Sequence, residues 1–291
     1  MKKSLLIIPI AALCLVSCGT TDSSSTPPLP PAQNAATTQQ AEIPETTEAT
    51  TAEIVESDEI SIASHYLTKD HNGDQILVIE YAWTNTFDEP KAFSFAVEDN
   101  VFQNGIECSD LVFIDDVDTE QQLNKIQPGV TYNLKVGYKL QDNTNANVVI
   151  KRLIGDNVLL NQTIELEGGE SKQTSGEAGD TAVSFASCHK TTDYNGNPIL
   201  VVEYNFHNGE SKSAAWTWTF EDTAYQNGVE CSDLVFGVDE VDAEKMLAEI
   251  QPGITATITV GYKLVDNSPV TLEVKRLYSD KVYLNETIEI N

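Results

Sequence analysis

The amino-acid sequence predicts an all-β protein in which one domain occurs twice in tandem. The phrase FQNGIECSDLVF starts at Phe102 and returns as YQNGVECSDLVF from Tyr225, with conservative changes only. Short runs in which apolar and polar residues alternate are typical of antiparallel strands that are half-buried in a sheet. Glycine-containing turns separate these runs, and long runs with helical periodicity are missing from the two repeats.

The chain opens with a pattern that is typical of protein export. Lys2 and Lys3 precede an apolar run that extends from Leu5 to Val16. A charged start followed by a short apolar run is typical of a secretory signal peptide, whereas a membrane-spanning helix needs about 20 apolar residues. We therefore predict a signal peptide in residues 1–17.

The end of the apolar run predicts a lipid anchor. Ser17, Cys18 and Gly19 resemble a bacterial lipobox, in which the cysteine is acylated and becomes the new N-terminus. Several acyl chains on one residue attach a protein durably to a membrane. The sequence thus predicts an extracytoplasmic, surface-exposed protein that is anchored to the cell membrane through lipid on Cys18. The alternative is an ordinary signal peptide that is cleaved elsewhere.

Two segments have the composition of flexible connectors. Residues 18–57 consist mainly of Thr, Ser, Pro, Ala, Gln and Glu, and residues 168–181 are rich in Gly, Ser and Glu. Neither segment carries enough large apolar side chains to offset the entropy that ordering would cost. We predict a disordered tether after Cys18 and a flexible linker between the two copies.

The two copies, residues 58–167 and 182–291, align along most of their length. They share a glycine before the first long hydrophobic run, an Ile-Gln-Pro-Gly turn and a Val-Gly-Tyr-Lys-Leu segment. These features begin at Gly73, Ile126 and Val136 in the first copy, and at Gly196, Ile250 and Val260 in the second. Each copy has the size of one domain, so each is expected to fold around its own core.

Local motifs define the elements of each copy. Residues 75–85 and 130–140 have the β-branched, alternating pattern of strands. Asn104-Gly105 is the pair that two-residue type I′ hairpin turns prefer, because both positions need a positive φ. Asp118 and Gln121 form a capping box that predicts a short helix. About seven strands and one short helix predict an immunoglobulin-like sandwich, and a closed barrel is the alternative.

An aromatic run follows the first long strand in both copies. Phe93, Phe95 and Val97 alternate in the first copy, and Trp216, Trp218 and Phe220 alternate at the equivalent positions of the second. The alternation predicts a strand that turns these side chains into the core. The alternative is that Trp216 and Trp218 stack on sugars.

These motifs together resemble a known family. The glycine before a hydrophobic strand, the Gln-Asn-Gly-Ile/Val-Glu phrase, the Ile-Gln-Pro-Gly turn and the Tyr-Lys-Leu strand are similar to exported lipoproteins catalogued as domain of unknown function 5067. The resemblance covers both copies. It implies an immunoglobulin-like fold and an extracytoplasmic location, mostly in Gram-positive bacteria, and it implies no catalytic or binding residues.

Three cysteines lie within the two copies. Cys108 and Cys231 are equivalent, whereas Cys188 aligns with His65. A disulfide common to both copies is therefore impossible, and a bridge between Cys188 and Cys231 is left open. We expect Cys108 and Cys231 to be small buried apolar residues. Cys188 and His189 are not expected to form a catalytic pair, because neighbours on a strand point to opposite faces.

Acidic residues cluster where the short helix begins in each copy. These residues are Asp115, Asp116, Asp118 and Glu120 in the first copy, and Asp239, Glu240, Asp242 and Glu244 in the second. Carboxylates at this spacing are candidate Ca²⁺ ligands. The favoured interpretation is a solvated helix start, where the helix dipole stabilises acidic side chains.

Composition narrows the function classes. The formal net charge of −28 disfavours binding to nucleic acid, since like charges repel. We find no catalytic constellation of His, Asp, Glu or Ser that both copies share. We predict a non-catalytic binding module without a cofactor, whose partner is a protein or glycan of the cell envelope or of a host. The alternatives are a calcium-binding surface protein and an exported enzyme.

Overall fold

Each copy folds into a sandwich of two antiparallel sheets, which confirms the predicted all-β class. The structure, a computed structural model, describes residues 55–155, 157–169, 179–233, 235 and 237–290. The signal peptide, Cys18, nearly all of the tether and most of the linker lie outside the described residues. No helix in the described part of the chain has the length and apolar character needed to cross a membrane.

The described residues of the first copy form nine strands and two short 3₁₀ helices. The strands are β1 Ile60–Lys69, β2 Gln75–Thr84, β3 Lys91–Ala92, β4 Val97–Gln103, β5 Ile106–Glu107, β6 Lys125–Ile126, β7 Thr131–Lys139, β8 Ala146–Arg152 and β9 Val158–Ile164, and the helices are Phe93–Phe95 and Thr119–Leu123. One sheet has the order β1-β2-β7 and the other has the order β5-β4-β8-β9, with β3 and β6 forming a separate pair.

The second copy repeats this topology. Its elements are β10 Ala182–Thr192, β11 Pro198–His207, α1 Trp216–Thr219, β12 Phe220–Gln226, β13 Val229–Glu230, α2 Ala243–Leu247, β14 Thr255–Lys263, β15 Val270–Arg276 and β16 Val282–Ile288. The sheets have the orders β10-β11-β14 and β13-β12-β15-β16. Among the described strands neither pair of sheets closes on itself, so the sandwich is favoured over the barrel alternative.

Both local motifs adopt the predicted backbone. Asn104 and Gly105 have φ angles of 54° and 78°, and Asn227 and Gly228 have 52° and 78°, as a type I′ turn requires. The carboxylate of Asp118 accepts a hydrogen bond from Glu120 N at 3.1 Å and so caps its 3₁₀ helix. These features depend on neighbouring residues only. The turns and the Asp118 cap form as predicted, although Asp118 accepts from Glu120 N rather than from the amide of Gln121.

The predicted strand through the aromatic run is wrong. One helical turn replaces it in each copy, at Phe93–Phe95 and Trp216–Thr219. Residues two apart on a helix lie about 200° apart around its axis, whereas on a strand they share a face. Phe93 and Trp216 are therefore buried, but Phe95 and Trp218 are 61% and 72% exposed.

The two copies meet through a short strand pairing, which we call the inter-copy junction. Both copies belong to one compact unit, Thr50–Asn291. Residues 105–107 of the first copy pair antiparallel with residues 249–251 of the second. The pairing consists of a bridge between Ile106 and Ile250 and of hydrogen bonds from Glu107 N to Glu249 O (2.9 Å) and from Gln251 N to Gly105 O (2.8 Å). Ile106 packs against the hydrophobic core of the second copy.

Candidate functional site

Large apolar side chains are exposed at equivalent places in the two copies. In the first copy they are Phe95, Leu123, Leu153 and Ile154, which are 61%, 58%, 47% and 92% exposed. Hydrogen bonds hold their three segments together, since Ser94 Oγ donates to Gln122 O at 3.1 Å and Leu153 N donates to Ala96 O at 3.1 Å. We call these four residues the first apolar patch.

The second apolar patch consists of Trp218, Leu247 and Tyr278, which are 72%, 45% and 98% exposed. The same bonds recur, from Thr217 Oγ1 to Met246 O at 3.0 Å and from Leu277 N to Thr219 O at 2.9 Å. Leu123 and Leu247, the last residues of the two short helices, thus face solvent.

A cleft of ≈ 660 Å³ lies beside the second apolar patch. Its apolar wall includes Phe220, Met246 and Leu277, and its polar wall includes the carboxylates of Glu221, Asp222, Asp233 and Asp280. Tyr278 also lines the cleft. Its backbone has a positive φ of 60°, a conformation that residues other than Gly, Asn and Asp rarely adopt. Its lining is more polar than that of the mostly apolar concave pockets that usually bind small ligands.

A buried Asp–Tyr–Tyr network occurs in both copies. In the first, the hydroxyl of Tyr138 donates to Asp99 Oδ2 at 2.7 Å, and it lies 3.0 Å from the hydroxyl of Tyr81. Since Tyr138 has one proton, Tyr81 must donate to Tyr138. The second copy places Tyr262, Asp222 and Tyr204 in the same arrangement.

The second network has one additional donor. Trp216 Nε1 donates to Asp222 Oδ1 at 2.8 Å, while Tyr262 donates to Oδ2 at 2.7 Å. Phe93 occupies the position of Trp216 in the first copy and has no such group. Both carboxylate oxygens of Asp222 therefore accept hydrogen bonds from core side chains, although the same residue borders the cleft.

Burial sets the protonation behaviour of this network. It raises the pKa of Asp99 from 3.8 to about 7, and it raises the pKa of Asp222 as well. The buried hydroxyls of Tyr81, Tyr138 and Tyr262 have pKa values well above the usual 10 for the same reason. Sequence reasoning missed the network, although Glu98-Asp99 and Glu221-Asp222 occupy equivalent positions.

The predicted acidic clusters remain near the short helices. Asp118 and Asp242 are N-caps, and Asp242 accepts from both Glu244 N and Lys245 N. Asp115, Asp116, Glu120, Asp239 and Glu240 lie at exposed positions, and Glu244 is partly buried. In the described part of the chain no three His, Cys, Asp or Glu side chains converge as metal ligands. The two aspartates thus cap helices, as the favoured interpretation expects, and calcium binding stays an untested hypothesis.

The cysteines of the two sandwiches are not bridged. Cys108 and Cys231 are buried, as predicted, and Cys188 is partly buried. The thiols of Cys108 and Cys231 point to the side-chain oxygens of Gln103 and Gln226. Burial raises the pKa of Cys108 to about 12, so its thiol stays protonated at neutral pH.

The fold and these surfaces define a tandem β-sandwich protein with duplicated apolar patches. The sequence profile of the Domain of unknown function (DUF5067) family matches residues 33–151 and 166–276. The chain therefore belongs to the DUF5067 family, with one match in each copy, which confirms the resemblance. No curated protein matches the chain.

A solved structure is also similar. It is a protein regarded as a lipoprotein, from Staphylococcus aureus subsp. aureus NCTC 8325. The likeness has a TM-score of 0.31 and 13% sequence identity, and it covers 39% of this chain and 90% of the other.

Proposed function

We propose that this protein is a lipid-anchored, non-catalytic interaction module that binds an extracellular partner through its two apolar patches. The observation that carries the proposal is the recurrence of exposed aromatic residues at one position, Phe95 in the first copy and Trp218 in the second. Contiguous exposed apolar surface on a soluble domain is typical of an interaction site. The buried side chains of Phe93 and Trp216, on the same helical turns, fix the positions of Phe95 and Trp218.

Duplication of the patch supports binding to a target with repeated features. Two modules in one chain raise the effective concentration of the second contact once the first has formed. The partner class that we propose is a protein or glycan of the cell envelope or of a host. Trp218 offers an exposed ring for stacking, which keeps the sugar-binding alternative open for this residue.

The side chains that line the cleft limit the kind of ligand that the second apolar patch would bind. Its carboxylates, Glu221, Asp233 and Asp280, are hydrogen-bond acceptors and negative charges, and Met246 and Leu277 supply apolar contact. A ligand that presents an apolar surface next to hydroxyl or amino groups would satisfy both walls. The carboxylate of Asp222 is committed to Trp216 and Tyr262, so we assign it to support of the cleft rather than to catalysis.

The anchor places this surface outside the membrane. The proposal takes Cys18 as the acylated residue and residues 19–54 as a tether that lets the two sandwiches reach away from the lipid. The tether ends there because Val55 pairs with Asn161 of β9. Replacing Cys18 by Ala should move the protein from the membrane fraction to the medium or the soluble fraction. Retention of Cys18→Ala in washed membranes would contradict lipid anchoring and would leave the binding proposal untouched.

Binding is tested with the chain lacking residues 1–17 and carrying Cys18→Ala. Its retention is measured on insoluble cell wall from the producing bacterium and on immobilised extracellular-matrix glycoproteins. Phe95→Ala and Trp218→Ala should each weaken retention by about tenfold, as expected for aromatic anchors, and the double variant should weaken it further. Tyr194→Ala is the matched control, because Tyr194 is 76% exposed but lies outside both patches.

The two outcomes separate clearly. Loss of retention in the patch variants, with thermal unfolding unchanged, supports the proposal. Retention that is equal in the parent chain, the patch variants and the Tyr194→Ala control would reject the patches as binding surfaces.

A further inference from the structure

Each half of the inter-copy junction has an equivalent in the other copy. The hairpin residues 105–107 correspond to residues 228–230, and the edge residues 249–251 correspond to residues 125–127. Both hairpins contain the Asn-Gly turn. The inner side of each edge is also paired alike, with Lys91 opposite Ile126 and Ala214 opposite Ile250. The junction is therefore heterologous, since the first copy contributes a hairpin and the second contributes an edge.

Because the contact within the chain is heterologous, the hairpin at residues 228–230 and the edge at residues 125–127 do not take part in it. Strand β13 lies at the end of its sheet, and β6 pairs only with β3 within the described residues. Gly105 is buried in the junction, whereas its equivalent Gly228 is exposed, and Val229 is 62% exposed. Gln127 is likewise more exposed than Gln251. The surfaces that the junction covers in one copy are thus open in the other.

Unpaired strand edges are templates for pairing with another chain. In the junction, the outward backbone groups of Glu249 and Gln251 bind Glu107 and Gly105. The outward groups of Lys125 and Gln127 have the same spacing, because both segments are paired in the same register on their inner side. The hairpin at Gly228 and Glu230 presents the matching partners.

Side-chain charge favours pairing of the open hairpin, residues 228–230, with the open edge, residues 125–127, over the pairing in the inter-copy junction. The junction brings Glu107 next to Glu249, and burial raises the pKa of both carboxyls, with the charge of Glu107 raising that of Glu249 further. At the equivalent positions of the open surfaces stand Glu230 and Lys125. The like charges of the junction are thus replaced by opposite charges.

We propose that copies of this protein associate head to tail, with the β13 hairpin of one chain adding to the outer edge of β6 in the next. The register is that of the inter-copy junction, so that Val229 lies opposite Ile126 and Glu230 lies beside Lys125. Every added chain leaves one hairpin and one edge open, so the assembly is open-ended.

The contact is small, and its strength should depend on confinement. Stable interfaces bury about 1,200–2,000 Å², and a two-residue strand addition buries less. We expect a dissociation constant on the order of 100 µM for the chain in solution. If the proposed lipid on Cys18 confines the chains to a membrane, their local concentration rises and association is favoured.

The test is sedimentation velocity of the chain lacking residues 1–17 and carrying Cys18→Ala, from about 10 µM to about 1 mM. The parent chain should shift to larger species as its concentration rises. Lys125→Glu and Glu230→Lys should each weaken association by at least about tenfold, because each creates a like-charged pair. Both side chains are exposed, so thermal unfolding should be unchanged.

Mixing the two single variants provides the decisive measurement. In an equimolar mixture every contact between unlike chains joins opposite charges, and every contact between like chains joins equal charges. Association should return in the mixture although neither variant associates alone. A parent chain that stays monomeric at all concentrations, variants that associate like the parent, or a mixture without recovery would each overturn the proposal.

Discussion

The hydroxyl of Tyr138 donates a hydrogen bond to the carboxylate of Asp99, with 2.7 Å between Oη and Oδ2. The equivalent bond joins Tyr262 to Asp222. Neither aspartate is near its tyrosine in sequence, and each bond joins the two sheets of its sandwich. A carboxyl group in such a place must be either a costly buried charge or a neutral acid. The stability of both sandwiches should therefore depend on pH.

The first prediction concerns that pH dependence. In the folded state the pKa of Asp99 is about 7, which is above its value in an unfolded chain. The stabilisation is thus complete below the unfolded pKa, and it is lost as the pH rises through about 7. Asp99→Asn should flatten the curve of unfolding free energy against pH in this window, measured by urea denaturation. The exposed Asp88→Asn is the control, and a parent-like slope in Asp99→Asn would contradict the assignment.

The second prediction compares Asp99 with Asp222. An asparagine has only one acceptor oxygen, and Asp222 accepts from both Trp216 and Tyr262. Asp222→Asn should therefore destabilise the protein by about 1–3 kcal/mol more than Asp99→Asn, because one buried donor loses its acceptor.

A double-mutant cycle checks the cause of this difference. Trp216→Phe removes the extra donor and restores the pattern of the first copy. It should cost less free energy of unfolding in the Asp222→Asn background than in the parent chain. Additive effects of the two substitutions would show that the indole hydrogen bond is not responsible.

The third prediction concerns the carboxylates at the inter-copy junction. Glu249→Lys would place a positive charge beside Glu107 and should raise the free energy of unfolding by about 0.5–1 kcal/mol. Glu249→Gln removes the repulsion without adding an attraction, so its gain should be smaller. Urea denaturation at neutral pH ranks the three chains, and an order in which glutamate is the most stable residue would count against the junction.

The fourth prediction concerns the two hairpin glycines. Gly105 and Gly228 both have a φ of 78°, so a valine side chain strains either turn by about 1–3 kcal/mol. Gly105 also accepts the hydrogen bond from Gln251 at the junction. Gly105→Val should therefore lower the melting temperature more than Gly228→Val does. Equal losses would indicate that the junction contributes nothing to stability.

Features that depend on adjacent residues could be predicted from the sequence. The Asn-Gly turns form because only a few residue types accept a positive φ, and the helix start forms because Asp118 can reach the amide of Glu120. Family membership could be recognised for the same reason, since its motifs are short and continuous. The boundaries of independent folding, 58–167 and 182–291, stay a prediction.

Alternation of apolar residues predicts a strand at a position where one helical turn forms. Phe93, Phe95 and Val97 fit a strand as a sequence, but only Phe93 and Val97 are buried, because a helical turn intervenes. The exposed residues Phe95 and Trp218 that define the patches could therefore not be separated from the core by pattern alone. Their exposure depends on how distant segments of the chain, such as those at Leu153 and Leu277, pack beside the helical turns.

The sequence by itself determined the duplicated β domain, the hairpin turns, the capped helix starts and the predicted acylation motif at Cys18. Tertiary structure decided that Asp99 and Asp222 meet distant tyrosines, that one aromatic residue of each pair faces solvent, and that Ile106 pairs with Ile250. The physical reason is the distance along the sequence between the residues that interact. Backbone conformation responds to neighbouring residues through steric contact and local hydrogen bonds, whereas burial, pKa and edge pairing depend on segments that only the folded chain brings together.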